Sequence, residues 1–461
     1  MAVTLWLTDR SRYERGLGHC ARARYHNYHA GPHGYGWDRK AQSIPQVTGT
    51  LVHDPITKTL QELATTGEVP DDGWIYDQAI LPAIMRYHDL VEKRGLTTIT
   101  DEADLANATA EQVTLLEGLV WCWVRVALPA YADEWVPVLI EAEEAVVLGC
   151  TCGLGERIGE LEDHDGRNCQ GIGWMTRGDC IARRKSGADA YRYDEFKTTS
   201  TATMNWEAAW PYKAQLKAGV LGAERRLEKT VDEVYIHALI KGQRRSEWNP
   251  AEGKASGPKF QNSPLAYGWR RPANPPLNEE DWAPSQYYED VDGKRRKNTQ
   301  HKRTGLWHLP ESLWGQCLSP VHFWTRWIGP TLGQSYKLLG PIYRNEADLR
   351  SFLTQLVGEE RRWQATLWQL HDAITGAGSW ASPEVQEVLD LEVPQIRGDA
   401  CHGYFGEECN YVPLCDHHPG WEDPALMGYI PRRPHHTPEL EQAIERGLLP
   451  PDEGVAWEPE E

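Results

Sequence analysis

The chain has 461 residues, 40% of them hydrophobic and 25% charged, a balance that excludes a fibrous or wholly disordered polymer and leaves room for two to four domains at about 150 residues each. A formal net charge of -19 speaks against a general nucleic-acid binder, whose phosphate contacts come from Lys and Arg. No apolar run approaches the roughly 18 residues of a membrane span, and Asp9, Arg10, Arg12, Glu14 and Arg15 stand where a secretory signal would need an apolar stretch, so a cytoplasmic protein without membrane partners is expected.

In chain order, residues 1–130 read as a mostly helical region interrupted by a Gly/His/Tyr-rich loop at Gly31–Gly36. Residues 131–242 change texture. Val138-Leu139-Ile140 and Ala145-Val146-Val147-Leu148 are two runs of strand length, further strands end at Phe196 and span Val231–Ile240, and a helix with Pro211 in its first turn puts Tyr212, Gln215 and Gly219 on one face. Strands alternating with a helix predict an α/β core. Residues 243–344, rich in Pro, Gly, Trp and charge, read as a loop-rich insertion. Within 345–417, Asn345 is the expected N-cap of a long helix whose apolar stripe runs from Leu349 through Phe352, Leu356, Trp363 and Leu370. Residues 418–461 read as a loosely attached, acidic, Pro-rich tail.

The chemistry concentrates at Gly178-Asp179 and, sixteen positions on, at Asp194-Glu195-Phe196-Lys197-Thr198. Side chains at i and i+2 of a strand share a face, so Glu195 and Lys197 project together, and an adjacent strand would bring Asp179 to them. Two carboxylates can hold hard divalent cations that engage phosphate oxygens and acidify a water, while the Lys orients that water or meets developing charge. Upstream, His53 follows Gly49 at helical spacing, with Asp54 expected to cap a helix beginning at Pro55; downstream stands Gln215. No G-x-x-x-x-G-K-[ST] loop occurs, so the chain carries no ATPase motif, and Gly153-Leu154-Gly155 belongs to an imperfect imitation of a dinucleotide fingerprint.

Of the ten cysteines, Cys401, Cys409 and Cys415 form C-x7-C-x5-C, and Cys20 stands far upstream. In a reducing compartment clustered thiols are more often metal ligands than disulfides. Cys150, Cys152, Cys169 and Cys180 read as half-buried residues around a hairpin, with a second metal site as the alternative.

The order Gly49-x-x-x-His53, Gly178-Asp179, Glu195-x-Lys197-Thr198 and Gln215, flanked by one Cys before and three after, resembles the iron-sulfur branch of the RecB-like PD-(D/E)XK nucleases, which includes phage exonucleases, CRISPR-associated adaptation exonucleases and AddB-type nuclease domains. The resemblance covers about residues 49–242 plus the cysteines. It implies a restriction-endonuclease-like α/β fold, a central mixed sheet flanked by helices with the terminal segments joined by a metal cluster. It also implies Mg²⁺ or Mn²⁺ on His53, Asp179 and Glu195, Lys197 as catalytic lysine, Gln215 as an accessory residue, and a 4Fe-4S cluster on Cys20, Cys401, Cys409 and Cys415. Zinc is the alternative for the four thiolates. One departure stands out: the family's helix usually reads Q-x-x-x-Y, and here Gly219 occupies the tyrosine's place.

The implied activity is metal-dependent DNA exonuclease chemistry in recombination, repair or phage DNA metabolism, alongside a separate helicase, recombinase or annealing protein. A site-specific endonuclease on the same core and a non-catalytic DNA-binding subunit are the alternatives. Arg244, Arg245, Trp269, Arg270, Arg295, Arg296 and Lys297 interleave cations with aromatics as single-strand grooves do, and are the expected DNA clamp.

Overall fold

The computed structural model describes residues 5–14, 20–39, 44–94, 102–150, 171–187, 189–199, 202–241, 244–249, 254–260, 287–289, 295–297, 336–395, 401, 409–434 and 436–449. Its centre is a six-stranded mixed sheet in which β1 (Leu5–Thr8), β4 (Gly171–Arg184), β5 (Tyr191–Thr199), β6 (Glu233–Ile240) and β11 (Tyr336–Tyr343) follow one another, and β3 (Trp135–Cys150) lines β4. β5 runs parallel to β6 and antiparallel to β4. β1 runs parallel to β4 in the register Leu5↔Gly171 to Thr8↔Trp174.

Helices cover both faces, and the alternation of the strands decides what each face buries. On one side lie α3 (Ile44–Leu51), α4 (His53–Thr66), the short α5 (Asp72–Trp74) continuing into a π-helical turn at Ile75–Ile80, α6 (Leu81–Arg94), α7 (Glu102–Val126) and α8 (Leu128–Glu134). Their apolar residues, among them Leu51, Ile56, Leu119 and Trp123, pack on Cys180, Ala182, Phe196 and Leu239. The other face receives Tyr13 of α1 (Arg10–Glu14), α10 (Ala214–Leu227) and the start of α11 (Glu346–Ala377), which pack on Ile181, Tyr193, Val234 and Ile236. Between β5 and α10 lie α9 (Met204–Ala209) and a single 3-10 turn, Trp210–Tyr212. Asn345 caps α11 as expected, its side chain accepting from the Asp348 amide at 3.2 Å, and Gly378 ends the helix at φ 73°.

The sheet differs from the sequence expectation in two places. The two apolar runs between Val138 and Leu148 belong to one sixteen-residue strand, because the acidic stretch between them continues the pairing with β4. The mostly helical N-terminal region opens with strand β1, four residues that gain their pairing only from β4.

The chain's ends are clasped together. α2 (Ala21–Tyr28) sends Arg24 to Glu360 of α11 at 2.7 Å, both fully buried, and Arg22 to Asp390 of α12 (Pro383–Glu392) at 2.7 Å. β12 (Tyr429–Pro431) pairs with β2 (Trp37–Arg39). Arg12 meets Glu439 of α13 (Thr437–Glu445), which is buried, and Gln442 donates to the Leu5 carbonyl at 3.0 Å. The expected loose tail is therefore a packed element at least through residue 449: a buried Arg12 needs a carboxylate, and Glu439 supplies it. Among the described residues these pairs join the two ends.

Two hairpins are described in the insertion, β7 (Arg244–Asn249) with β8 (Lys254–Phe260) and β9 (Tyr287–Glu289) with β10 (Arg295–Lys297). Among the described residues no single helix is long and apolar enough to cross a membrane. The bent pair formed by the end of α7 and α8 meets that test jointly on length and composition, but its side chains, including Leu119, Trp121, Trp123 and Leu128, are the core of the helical layer.

Candidate metal centre

Three elements converge where the β4–β5 ladder stops, just past the pair Cys180↔Asp194. His53 opens α4, Asp179 lies on β4, and Glu141 lies on β3, where Ile140 faces Cys180 and Ala142 faces Gly178 so that Glu141 stands opposite Asp179. One ligand atom from each of His53, Glu141 and Asp179 comes within 4.8 Å of the other two, and His53 Nδ1 is 3.7 Å from Asp179 Oδ1. Glu141 holds this place with φ at 40°, a left-handed conformation that costs energy for a residue with a Cβ. His53 is the first residue of α4, inside the helix; Asp54 does not cap it but pairs with Arg86 at 2.8 Å.

Glu195 stands beside this trio. Its carboxylate is 1% exposed and is held by Lys197 Nζ at 2.9 Å from Oε1, by the Tyr193 hydroxyl donating to Oε2 at 2.7 Å, and by Gln215, whose amide donates to Oε1 while its own carbonyl oxygen accepts from Arg10. That makes three direct partners and a fourth, Arg10, acting through Gln215. Asp179 accepts the Phe196 amide at 2.5 Å, which ties β4 to β5 at the site.

The motif glycines have physical roles. A Cβ on Gly49 would sit 3.0 Å from Thr198 Oγ1, so the glycine lets α3 approach the end of β5 closely. A Cβ on Gly219 would lie 2.6 Å from Tyr193 Cζ. The ring of Tyr193 fills the space over α10 that a larger side chain at 219 would need, and presents its hydroxyl to Glu195 from the strand.

The electrostatics are unbalanced. Burial pushes the Asp179 carboxyl well above its usual range, and the charge of Glu195 adds to this against Lys197 and the Phe196 amide. For Glu195 burial acts upward too, but Lys197 and the hydroxyl of Tyr193 outweigh it and hold the carboxyl low. Burial, and then the charge of Lys197, bring His53 down to about 4, so its imidazole is neutral and able to offer a lone pair. A cluster of acids short of positive charge, with a neutral imidazole beside them, suits a divalent cation.

Of the residues expected from sequence, His53, Asp179, Glu195, Lys197 and Gln215 are brought together here. The compact ligand group is His53, Glu141 and Asp179, with Glu195 held by Lys197 next to it. Glu141 was not anticipated, since it lies in the acidic stretch that separates two apolar runs; Tyr193 was missed although it shares a strand face with Glu195 two residues on, and Arg10 because its partner Gln215 is distant in sequence. Cys180 is buried with its sulfur 3.4 Å from the Tyr131 hydroxyl, and Cys150 is buried in β3, while Cys152, Cys169 and residues 153–159 lie outside the described residues.

The four cysteines of the proposed cluster share one neighbourhood. Cys20, Cys409 and Cys415 pack around Tyr411 and Leu414, and the Cys409 amide donates to the Cys401 carbonyl at 2.7 Å. Burial pushes the Cys415 thiol up to about 12, opposed by Arg22 and reinforced by Cys20, Cys409 and Cys401. No disulfide joins them. They do not form a compact ligand group: among the described residues the His53 trio alone has three ligand atoms mutually within 4.8 Å.

Of the residues expected to clamp DNA, Arg244 and Arg245 lie on β7 and Arg295, Arg296 and Lys297 on β10; Trp269 and Arg270 lie outside the described residues. No protein-family model matches the chain, and no curated protein matches it.

Proposed function

We propose that the chain is a metal-dependent DNA nuclease, an exonuclease of the RecB-like type, acting on single-stranded or end-processed DNA. The observation that carries the reading is the convergence of His53, Glu141 and Asp179 within 4.8 Å, beside a Glu195–Lys197 pair at 2.9 Å. A bound Mg²⁺ or Mn²⁺ would supply Lewis acidity toward a phosphodiester oxygen and a nearby water. The protein's own residues do the rest. Glu141 and Asp179 bring carboxylate oxygens, and His53 contributes a neutral nitrogen. Lys197, partly exposed and anchored on Glu195, holds an ammonium where an attacking water must be oriented and negative charge develops on phosphorus. Gln215 and Tyr193 fix the Glu195 carboxylate and through it the lysine.

For Cys20, Cys401, Cys409 and Cys415 we propose an iron-sulfur cluster, which would supply a structural clip between the two ends of the chain. A zinc ion with bonds of about 2.3 Å draws its four thiolates into a tight tetrahedron. A cluster takes one thiolate at each of several irons; the support for a shared metal group is that the four cysteines lie in one neighbourhood, and zinc is the alternative.

The test is release of nucleotides from end-labelled linear DNA by the purified protein with Mg²⁺ or Mn²⁺ and with chelator. Lys197→Ala should lower the rate by at least about a hundredfold, as loss of a positioned proton-handling group does, while the fold survives. Retained cleavage by Lys197→Ala would overturn the assignment, and cutting of circular single strands would turn it toward an endonuclease.

A further inference from the structure

We infer that the turn entering α10, together with Arg10, forms a track for a single strand of nucleic acid leading to the metal centre; this rests on the nuclease reading. Tyr212 is 78% exposed, in a turn that does not leave it free to wander. Pro211 precedes it, the Lys213 amide donates to the Trp210 carbonyl at 3.0 Å, and Trp210 is buried with its ring against Trp206 at 5.3 Å. A large aromatic ring is thus held out into solvent on a rigid base, preorganised for a flat apolar partner.

Cations lie along the same path. Lys213 follows Tyr212 and is exposed. Two residues further, Gln215 reaches Glu195, and the far side of Gln215 meets Arg10, whose side chain is 42% exposed and also contacts Glu14 at 3.1 Å. In sequence the series runs aromatic ring, ammonium, amide, and by contact the amide reaches the metal-site carboxylate and has a guanidinium at its side. Single-strand grooves combine these parts: a ring on which a base stacks and cations that follow the phosphates. The metal centre itself is acidic, so an incoming polyanion needs positive charge just outside it, and Lys197 is already engaged by Glu195. A duplex end would offer Tyr212 no unpaired base beyond its terminus, which favours a single strand.

The experiment is fluorescence anisotropy of a labelled oligothymidylate with the full-length protein in chelator, so that binding is read without cleavage, followed by hydrolysis of the same strand in Mg²⁺ or Mn²⁺. Tyr212→Ala should weaken binding by at least about fivefold, the low end for one lost base stack, and Tyr212→Phe should bind as the parent does. Lys213→Ala should lower the slope of log affinity against log salt by about 0.7, one phosphate of a single strand. Parental affinity in Tyr212→Ala overturns the track, and if that variant also cleaves with parental KM the nuclease reading stands without it. Weakened binding in Tyr212→Ala with no metal-dependent cleavage by the parent keeps the track as a binding surface and overturns the nuclease. Absence of oligonucleotide binding by the parent overturns the track outright.

Discussion

Asp194 and Glu195 are neighbours in β5, both essentially removed from water, and they face opposite sides of the sheet. On the helical side Asp194 is saturated. Arg192 donates to it at 2.8 and 2.9 Å, and His237 Nε2 lies 2.9 Å away with the Tyr336 hydroxyl 2.8 Å from Nδ1. Burial works to raise the Asp194 carboxyl, and Arg192 and His237 outweigh it. On the α10 side Glu195 shares one lysine with a crowd containing Asp179 and Glu141, and the Asp179 carboxyl is driven well up. A third buried carboxylate, Glu117 of α7, meets no cation and no acid cluster among the described residues, and burial, eased by Trp121, raises it to about 7. The comparison separates three conditions of buried acid: paired, solitary and converging. Pairing gives a structural network and solitude gives a proton. Only convergence of several acids on one point, with a neutral His53 among them, describes a place for a cation.

The two faces of β5 should respond differently to loss of charge. Asp194→Ala leaves the Arg192 guanidinium buried without its partner and should cost about 3–5 kcal/mol in chemical denaturation. Asp179→Asn removes a charge that its surroundings oppose. It should leave stability unchanged or raised while abolishing Mn²⁺ binding in calorimetry; a destabilised Asp179→Asn protein would make this face structural as well. Glu117 supplies a pH reference for the helical side. Its carboxyl is raised from 4.5 to about 7, so the folded state keeps a proton that the unfolded chain has released across that window. Its contribution is complete below pH 4.5 and is lost as pH rises to about 7, roughly 3 kcal/mol in all at 1.36 kcal/mol per unit. Glu117→Gln should flatten stability across that window, and an unchanged slope would refute the solitary-acid description.

What could be read from sequence was what strand and helix periods encode. Glu195 and Lys197 fall on one face because the strand period is two, Asn345 caps α11 because its side chain suits that role, and Leu349 to Leu370 form the buried stripe of that helix. What could not be read depends on register or on distant pairs. Glu141 joins the site because β3 runs on through an acidic stretch and aligns with Asp179, and no local signal distinguishes that from a turn. β1 exists because β4 offers it an edge. Glu439, in Pro-rich and acidic text, is buried because Arg12, more than four hundred residues earlier, requires a counter-charge. The fit of the Tyr193 ring over Gly219 depends on β5 packing against α10, which neither local stretch of sequence encodes.

The Tyr193 ring gives the smallest effect. Tyr193 donates to Glu195 Oε2 at 2.7 Å while its ring packs against the bare backbone of Gly219, so one residue both fills the α10 contact and orients the carboxylate. Tyr193→Phe keeps the filling and removes the hydroxyl. Glu195 retains Lys197 and Gln215, so the loss is one hydrogen bond to a charged group, about 1.5–3 kcal/mol in a buried setting. If the hydroxyl serves only packing and stability, chemical denaturation should register the whole of that loss, and kcat should stay at the parental value. If it fixes the carboxylate that anchors Lys197, kcat should fall about tenfold or more with KM unchanged, because the lysine acts on the reacting phosphate rather than on binding of the strand. Gly219→Ala asks the same question from the helix. Its methyl would press on Tyr193 Cζ and push the ring along β5, so it should lower kcat in the manner of Tyr193→Phe; in the double variant the two losses should fail to add, since both act through the same hydroxyl. Additive losses would separate the glycine from the carboxylate and reduce the Tyr193–Gly219 contact to packing.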